Sequence, residues 1–327
     1  MRAAVLKATK QSLVLEELPK PVAKEGELLV RVEACGVCRT DLHIQEGDLP
    51  NPKFPLILGH EIVGVVEEVG KNVSNFHKQD RVGIPWLAQT CGLCVYCKAG
   101  EENLCDHAQY TGYHRNGGFA EYTTCRADFA IPLPKEPTSD LMAPFLCAGL
   151  IGYRAYRKAA PLKTLGLYGF GASAHLLTQV AIAQGKEIYA FTREGDIAGQ
   201  QFALHLGAVW AGDSLQTPPV QLDAVILFAP VGSLVPCALK ILRKGGKCIC
   251  GGIHMSDIPS FPYEDLWNEK MIQSVANLTR QDAKEFFGLL SHISVQSHVT
   301  HYRLEEVNQA LKDLKNGKVQ GAIVLKC

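Results

Sequence analysis

The chain has 327 residues, 47% of them apolar, with 33 basic side chains set against 33 acidic ones. That length exceeds one ordinary domain and suits two, with apolar material for a core in each. The charge balance excludes a protein built around a basic face for nucleic acid or an anionic membrane.

The opening Met1-Arg2-Ala3-Ala4-Val5-Leu6-Lys7 lacks the apolar run of a signal peptide, and no later run reaches transmembrane length. A cytoplasmic protein with no nucleic-acid or membrane partner is therefore expected. In a reducing compartment its 12 cysteines read as metal ligands, reactive thiols or small apolar residues, not as disulfides.

Taken in chain order, strands are predicted at 3–6, 13–16, 28–32, 62–69 and 119–124, separated by Gly, Pro, Asn and Asp. Several alternate apolar and polar residues, as a half-exposed antiparallel sheet does. Two short motifs fall in this stretch. Cys38-Arg39-Thr40-Asp41-Leu42-His43 packs five chemically useful side chains into six residues, and Gly59-His60-Glu61 follows. Further on comes Pro144-Phe145-Leu146-Cys147. A Cys, a His and a second Cys suit a zinc with one open position. Singly, however, Cys147 reads equally as a core thiol and His60 as a satisfied core histidine.

The lobe at 91–106 carries a more specific signal. Cys91-Gly-Leu-Cys94-Val-Tyr-Cys97, then Cys105, lets neighbouring thiolates turn onto one ion, and four sulfurs complete a tetrahedral shell. A closed shell points to a structural site. An iron–sulfur cluster would use the same four ligands, and zinc is preferred.

From about residue 148 the pattern changes. Apolar 165–168 runs into Gly169-Phe170-Gly171-Ala172-Ser173-Ala174 and then a helix with Leu176, Leu177, Val180, Ala181 and Ala183 inward, stopped by Gly185. A Gly-x-Gly-x-x-Ala turn between strand and helix is the setting a dinucleotide site requires. Strands are predicted at 187–192, 224–228 and 247–251, and a helix at 233–244 ended by Gly245-Gly246. Helices at 282–290 and 304–315 and a strand at 322–325 complete the chain. Alternating strands and helices imply an α/β, doubly wound parallel sheet of Rossmann type. We assign it to 149–276, and a β-rich domain to 1–148 and 277–327.

The second Rossmann strand ends in Thr192-Arg193, with no carboxylate to bind a ribose 2′-hydroxyl. Arg193 suits a 2′-phosphate, so NADP is favoured over NAD. Glu194 and Asp196 follow closely, and either could swing in to favour NAD.

Over essentially its whole length the chain resembles the zinc-dependent medium-chain alcohol dehydrogenases. The resemblance rests on Gly59-His60-Glu61-Ile-Val-Gly64-Val-Val-Glu-Glu-Val-Gly70, on the four-cysteine lobe and on the Gly-x-Gly turn, in that order. One departure is Gln79, where the family usually has Gly. The resemblance implies a GroES-like catalytic domain beside the Rossmann domain and two zinc ions per chain. Cys38, His60 and Cys147 would bind the catalytic one, with Glu61 as an alternate ligand and Asp41 accepting a hydrogen bond from His60. Arg39 would bind the cofactor pyrophosphate, and Ala322 stands where another Arg is usual. Polyol enzymes often carry Glu in place of the second Cys, so Cys147 favours a primary or simple alcohol and its aldehyde as substrate.

In the implied reaction a zinc-bound alkoxide expels a hydride to NAD(P). Thr40 passes the alcohol proton through a cofactor ribose hydroxyl to His43, an imidazole suited to releasing it near neutral pH. Trp86, Leu87 and Trp267 read as pocket or core residues. A homodimer or homotetramer is expected. The alternative is a zinc- and nucleotide-binding protein without dehydrogenase activity. Such a protein would be expected to lose part of this set, and the chain retains all of it.

Overall fold

The apolar run Leu28-Leu29-Val30 grows, in the computed structural model of residues 1–327, into an eleven-residue strand, Glu27–Val37. Along one edge it pairs antiparallel with Glu61–Val69. Along the other, Tyr122–Arg126 pairs with its first half and Ala322–Lys326 with its last residues. Arg81–Ile84, Ile131–Pro132 and Val299–Arg303 complete a sheet of seven strands. A smaller sheet centres on Arg2–Leu6, flanked by Val14–Glu17 and Leu56–Ile57.

The expected half-exposed alternation fails on the central strand, where only Arg31 is exposed. The short 3-10 helix Ala143–Leu146 and the helix Val307–Lys315 pack against this strand, so it is covered on both sides. Leu6, Leu28, Ile44, Leu56, Ile62 and Phe119 form the core of this unit.

The second unit holds six parallel strands. In spatial order they are Trp210–Asp213, Glu187–Thr192, Thr164–Tyr168, Leu222–Leu227, Leu242–Cys250 and Met271–Ser274. Read in chain order this is 3-2-1-4-5-6, the doubly wound Rossmann arrangement.

One element departs from its prediction. The helix expected over 233–244 stops at Ile241, and Leu242 already pairs with Leu222. Gly245-Gly246 does not end a helix. It lies within the strand Leu242–Cys250, whose pairing shifts register between Leu222 and Ala224. The stretch Leu239-Lys240-Ile241-Leu242 continues equally well into helix or strand, and sheet pairing decides it.

The two units comprise Met1–Ala148, Asn277–Lys284 and Ser297–Cys327 on one side, and Gly149–Ala276 with Glu285–Gln296 on the other. The last segment was expected with the first domain. It packs with the second because the Phe286 ring lies tilted against Tyr153 at 5.3 Å, Glu285 pairs with Arg157 at 2.7 Å, and the Gln296 N–H donates to Gln179 at 2.9 Å.

Gln79 sits in a turn at φ 75°, in the left-handed region where a side chain is disfavoured. Its N–H donates to the Val66 carbonyl at 2.8 Å, and the His77 N–H is held by Asp80 Oδ2 at 2.7 Å, so neighbours impose the conformation. Gln79→Gly relieves the strain and gives back part of it as lost chain entropy, for a net gain of roughly 0.5–1 kcal/mol. A higher unfolding midpoint is expected in thermal denaturation. An unchanged or lower one would show that the turn carries no strain.

Candidate functional site

Cys38 ends the central strand and N-caps the helix Arg39–Glu46. Its Sγ accepts the Thr40 N–H at 3.3 Å, while Asp41 Oδ2 accepts the Cys38 N–H at 2.9 Å. A sulfur at a helix N-terminus is biased toward thiolate. Asp41 is fully buried, and its Oδ1 accepts the Gly59 N–H at 3.1 Å, tying this helix to the next motif.

Gly59 has φ 93°, and a Cβ there would stand 2.5 Å from the Phe119 ring and 2.8 Å from Cys35 Sγ. Only glycine fits, and the tight turn delivers His60 and Glu61 inward. His60 and Glu61 are almost wholly buried. Cys147 follows the 3-10 helix Ala143–Leu146 and precedes the helix Ala148–Ala159.

Cys38, His60, Glu61 and Cys147 each place one donor atom within 4.8 Å of all the others, and Cys38 Sγ lies 3.1 Å from His60 Nε2. His60 Nδ1 stands 3.3 Å from Asp41 Oδ1 but is not aligned for a hydrogen bond, and it has no hydrogen-bond partner. The hydrogen bond with Cys147 pulls the Cys38 thiol well below its usual range and pushes Cys147 up. Burial pushes the Glu61 carboxyl well above the carboxylate range, with Cys38 adding to the effect. Two half-buried thiols crowded against a buried imidazole and a buried carboxylate need a cation to be compatible with charge. Sulfur and nitrogen donors fit zinc.

Gly36 makes this cluster possible and was not singled out in the sequence. It pairs with Glu61 across the sheet, and a Cβ on it would lie 1.9 Å from Glu61 Oε2. The other relay candidates stand on the same helix. Thr40 is buried, and His43 Nδ1 lies 2.8 Å from Asp48 Oδ2. Arg39 is exposed and makes no ion pair.

Trp86 packs edge-on to His60 at 4.8 Å and stacks on Tyr110 at 5.0 Å and Tyr113 at 5.9 Å. Leu87 is core, and Trp267 is 60% exposed against Tyr263, in neither a core nor this wall. Tyr110 and Tyr113 lie too far along the chain for sequence spacing to have joined them to His60.

The cysteine lobe is a separate cluster. Cys91, Cys94, Cys97 and Cys105 gather within 4.8 Å, with Cys91 Sγ 3.9 Å from Cys97 and 3.5 Å from Cys105. A tetrahedron of sulfurs at zinc–sulfur distance has edges of about 3.8 Å, so the set fits a closed zinc shell. The Leu93 and Cys94 N–H groups bring the Cys91 thiol down to about 6.

In the second unit, a Cβ at Gly169 would stand 3.0 Å from the Ala229 nitrogen, so the strand-to-helix turn runs against the loop after the fourth strand. Gly171 begins the helix Ala172–Ala183 with no side-chain cap and open space where a Cβ would be, leaving room for a ligand against the helix N-terminus. Ala174 is fully buried, which lets the helix sit close on the sheet. At the second strand's end Thr192 is buried, while Arg193 and Glu194 are exposed and make no hydrogen bond or ion pair with their side chains. Asp196 cannot swing in freely, because its Oδ1 caps the next helix through Gly199 N–H at 2.9 Å. The acid beside this loop is Asp213, which takes Gln200 Nε2 at 2.8 Å and Gly195 N–H at 3.3 Å.

A family model described as the alcohol dehydrogenase GroES-like domain matches residues 24–135. The chain is 48% identical over 320 residues to "Probable alcohol dehydrogenase AdhA" of Mycobacterium tuberculosis (strain CDC 1551 / Oshkosh), covering 95% of this chain and 91% of that one. Among solved structures, the alcohol dehydrogenase of the hyperthermophilic archaeon Aeropyrum pernix is 28% identical, with a TM-score of 0.90 over 100% of both chains. Acetophenone reductase from Geotrichum candidum, solved in complex with NAD, is 26% identical, with a TM-score of 0.88 over 100% of this chain and 97% of that one. The chain belongs to the zinc-dependent medium-chain alcohol dehydrogenase family. Its activity is that of an NAD(P)-dependent oxidoreductase acting on CH–OH donors. No helix is long and apolar enough to cross a membrane.

Proposed function

We propose that the chain interconverts a primary or simple alcohol and its aldehyde by reversible hydride transfer, using two zinc ions and NAD(P). The observation that carries this reading is the convergence of Cys38, His60, Glu61 and Cys147, with the imidazole and carboxyl buried and the two thiols half-buried. Zinc held by Cys38, His60 and Cys147, with Glu61 as an alternate ligand, would supply Lewis acidity toward the alcohol oxygen, and NAD(P) would supply the hydride acceptor.

The chain's own groups do the rest. Asp41 braces the His60 ring from the Nδ1 side. Thr40 Oγ1 accepts the alcohol proton, and His43 hands it on to solvent. The aromatic stack of Trp86, Tyr110 and Tyr113 beside His60 supports an apolar alcohol over a polyol, in keeping with a Cys at 147. Cys91, Cys94, Cys97 and Cys105 hold the second, structural zinc. Gly169 and Gly171 shape the turn on which the pyrophosphate would lie, at the N-terminus of the helix that the buried Ala174 holds close to the sheet.

NADP is the favoured cofactor, supported by the exposed Arg193 at the strand end and by the engagement of Asp196 as a helix cap. NAD is the alternative. The test is NADPH and NADH oxidation against a panel of aldehydes, with Arg193→Ala beside the wild type. Arg193→Ala is expected to lower kcat/KM for NADPH by about tenfold and leave NADH unchanged, as loss of a charge-assisted bond to phosphate requires. A wild-type preference for NADH, untouched by the substitution, would overturn the NADP reading. No aldehyde reduced with either cofactor would overturn the function.

A further inference from the structure

The helix Arg39–Glu46 ends at Gly47, whose φ of 86° closes the last turn. The N–H groups of Gly47 and Asp48 both return to the His43 carbonyl, at 3.1 and 2.9 Å. This closure folds the chain back over its own last turn and sets Asp48 Oδ2 2.8 Å from His43 Nδ1. The His43 side chain is 12% exposed and that of Asp48 34%, so the pair runs from a covered imidazole toward water.

We propose that Asp48 is a positioning residue for the proton relay. It holds the hydrogen of His43 on Nδ1, so that Nε2 is the nitrogen that takes up the departing proton. The inference rests on the Thr40–His43 relay reading and extends it by one residue. When Nε2 gains its proton the ring carries both N–H groups and a positive charge. The Asp48 carboxylate and the carbonyl end of the helix stabilise that charge without taking the proton. Nε2 then gives the proton to water, and the starting tautomer is restored.

The carboxylate beside Nδ1 is partly open to solvent. Asp48 lines a cavity of about 830 Å³. The charged groups facing it are Lys10 from the loop after the first strand, Glu46 from its own helix, and Lys312 and Lys315 from the helix Val307–Lys315. Glu46 and Lys315 pair with each other at 2.5 Å, which leaves a surface of mixed charge beside the carboxylate.

The test uses zinc-loaded enzyme labelled with ¹⁵N-histidine, the His43 signals being assigned with His43→Gln. Long-range ¹H–¹⁵N spectra of the wild type are expected to show the Nδ1–H tautomer at high pH. Asp48→Ala is expected to give a mixture. In alcohol oxidation Asp48→Ala should lower kcat about tenfold with KM changed less than twofold, a part of the usual acid–base contribution. Asp48→Glu should restore most of the loss, and in a His43→Gln background Asp48→Ala should cost nothing more. A wild-type Nε2–H tautomer, or an equal loss from Asp48→Ala with and without His43, would overturn the proposal. A slowed His43→Gln beside an unaffected Asp48→Ala would remove the role of Asp48 and keep the relay. A His43→Gln enzyme that matches the wild type at low pH would remove both.

Discussion

Cys147→Ser and Cys38→Ser are each expected to abolish turnover, by at least on the order of a thousandfold, while the fold survives. Metal analysis should find one zinc per chain where the wild type has two. The local geometry explains why the loss is so selective. Cys38 closes a helix N-terminus through its sulfur, and a serine oxygen accepts the same Thr40 N–H, so the cap is kept. Cys147 lies between two helical segments, and its neighbours Phe145, Leu146 and Ala148 are buried whatever stands at 147. What serine cannot supply is a soft, readily ionised donor beside His60. A Cys147→Ser enzyme that retains two zinc ions and wild-type turnover would remove Cys147 from the site.

Cys97→Ser is expected to do the reverse. It should release the other zinc and lower the thermal midpoint by about 10 °C, since a closed four-thiolate site contributes folding energy directly. The loss spreads because the lobe is tied down near Cys105. Glu102, in the 3-10 helix just before it, is 7% exposed and receives Arg280 Nη2 at 2.6 Å and Nε at 3.0 Å. Arg280 in turn lies over the Phe129 ring at 4.5 Å. A loosened lobe therefore strains an ion pair whose carboxylate is buried, and leaving that carboxylate unpaired is costly. Turnover measured well below the new midpoint should fall far less than in Cys147→Ser. Full stability of Cys97→Ser with two zinc ions retained would show that the four cysteines hold no metal.

The contrast between these two sites also marks what was legible in the sequence. Cys91, Cys94, Cys97 and Cys105 were readable because ligand spacing is local, and two-residue gaps mean the same thing in any fold. That Gly169 and Gly171 form a strand-to-helix turn was readable for the same reason, since they lie between an apolar strand and an apolar helix. Cys38, His60 and Cys147 are far apart in sequence, and only the family resemblance joined them. The structure then places their donors together.

What escaped has a common cause. Asp48 is five residues from His43, a spacing that means nothing on a continuing helix. It matters only because Gly47 turns the chain back. Gly36 acts through the absence of a side chain opposite Glu61, a fact of cross-strand register. Asp196 read as a free acid near Arg193 because capping depends on where the next helix starts, the least certain feature of any sequence reading. The extra length given to the helix at 233–244 came from an apolar run whose partner, Leu222, lies on another strand.

The pairing of Ala322–Lys326 with the end of Glu27–Val37 has a consequence for biosynthesis. Five strands of the seven-stranded sheet precede the Rossmann sheet in the chain, yet the other two are translated after it. The six-stranded sheet is complete by Ser274 and can form during synthesis. Its partner unit must wait with Cys35, Gly36 and Val37 unpaired on one edge, immediately before the thiol of Cys38. For that interval the chain presents an open strand edge and a reactive sulfur side by side, the combination most exposed to mispairing and oxidation. Nascent chains stalled before residue 322 should therefore be the species that chaperones hold.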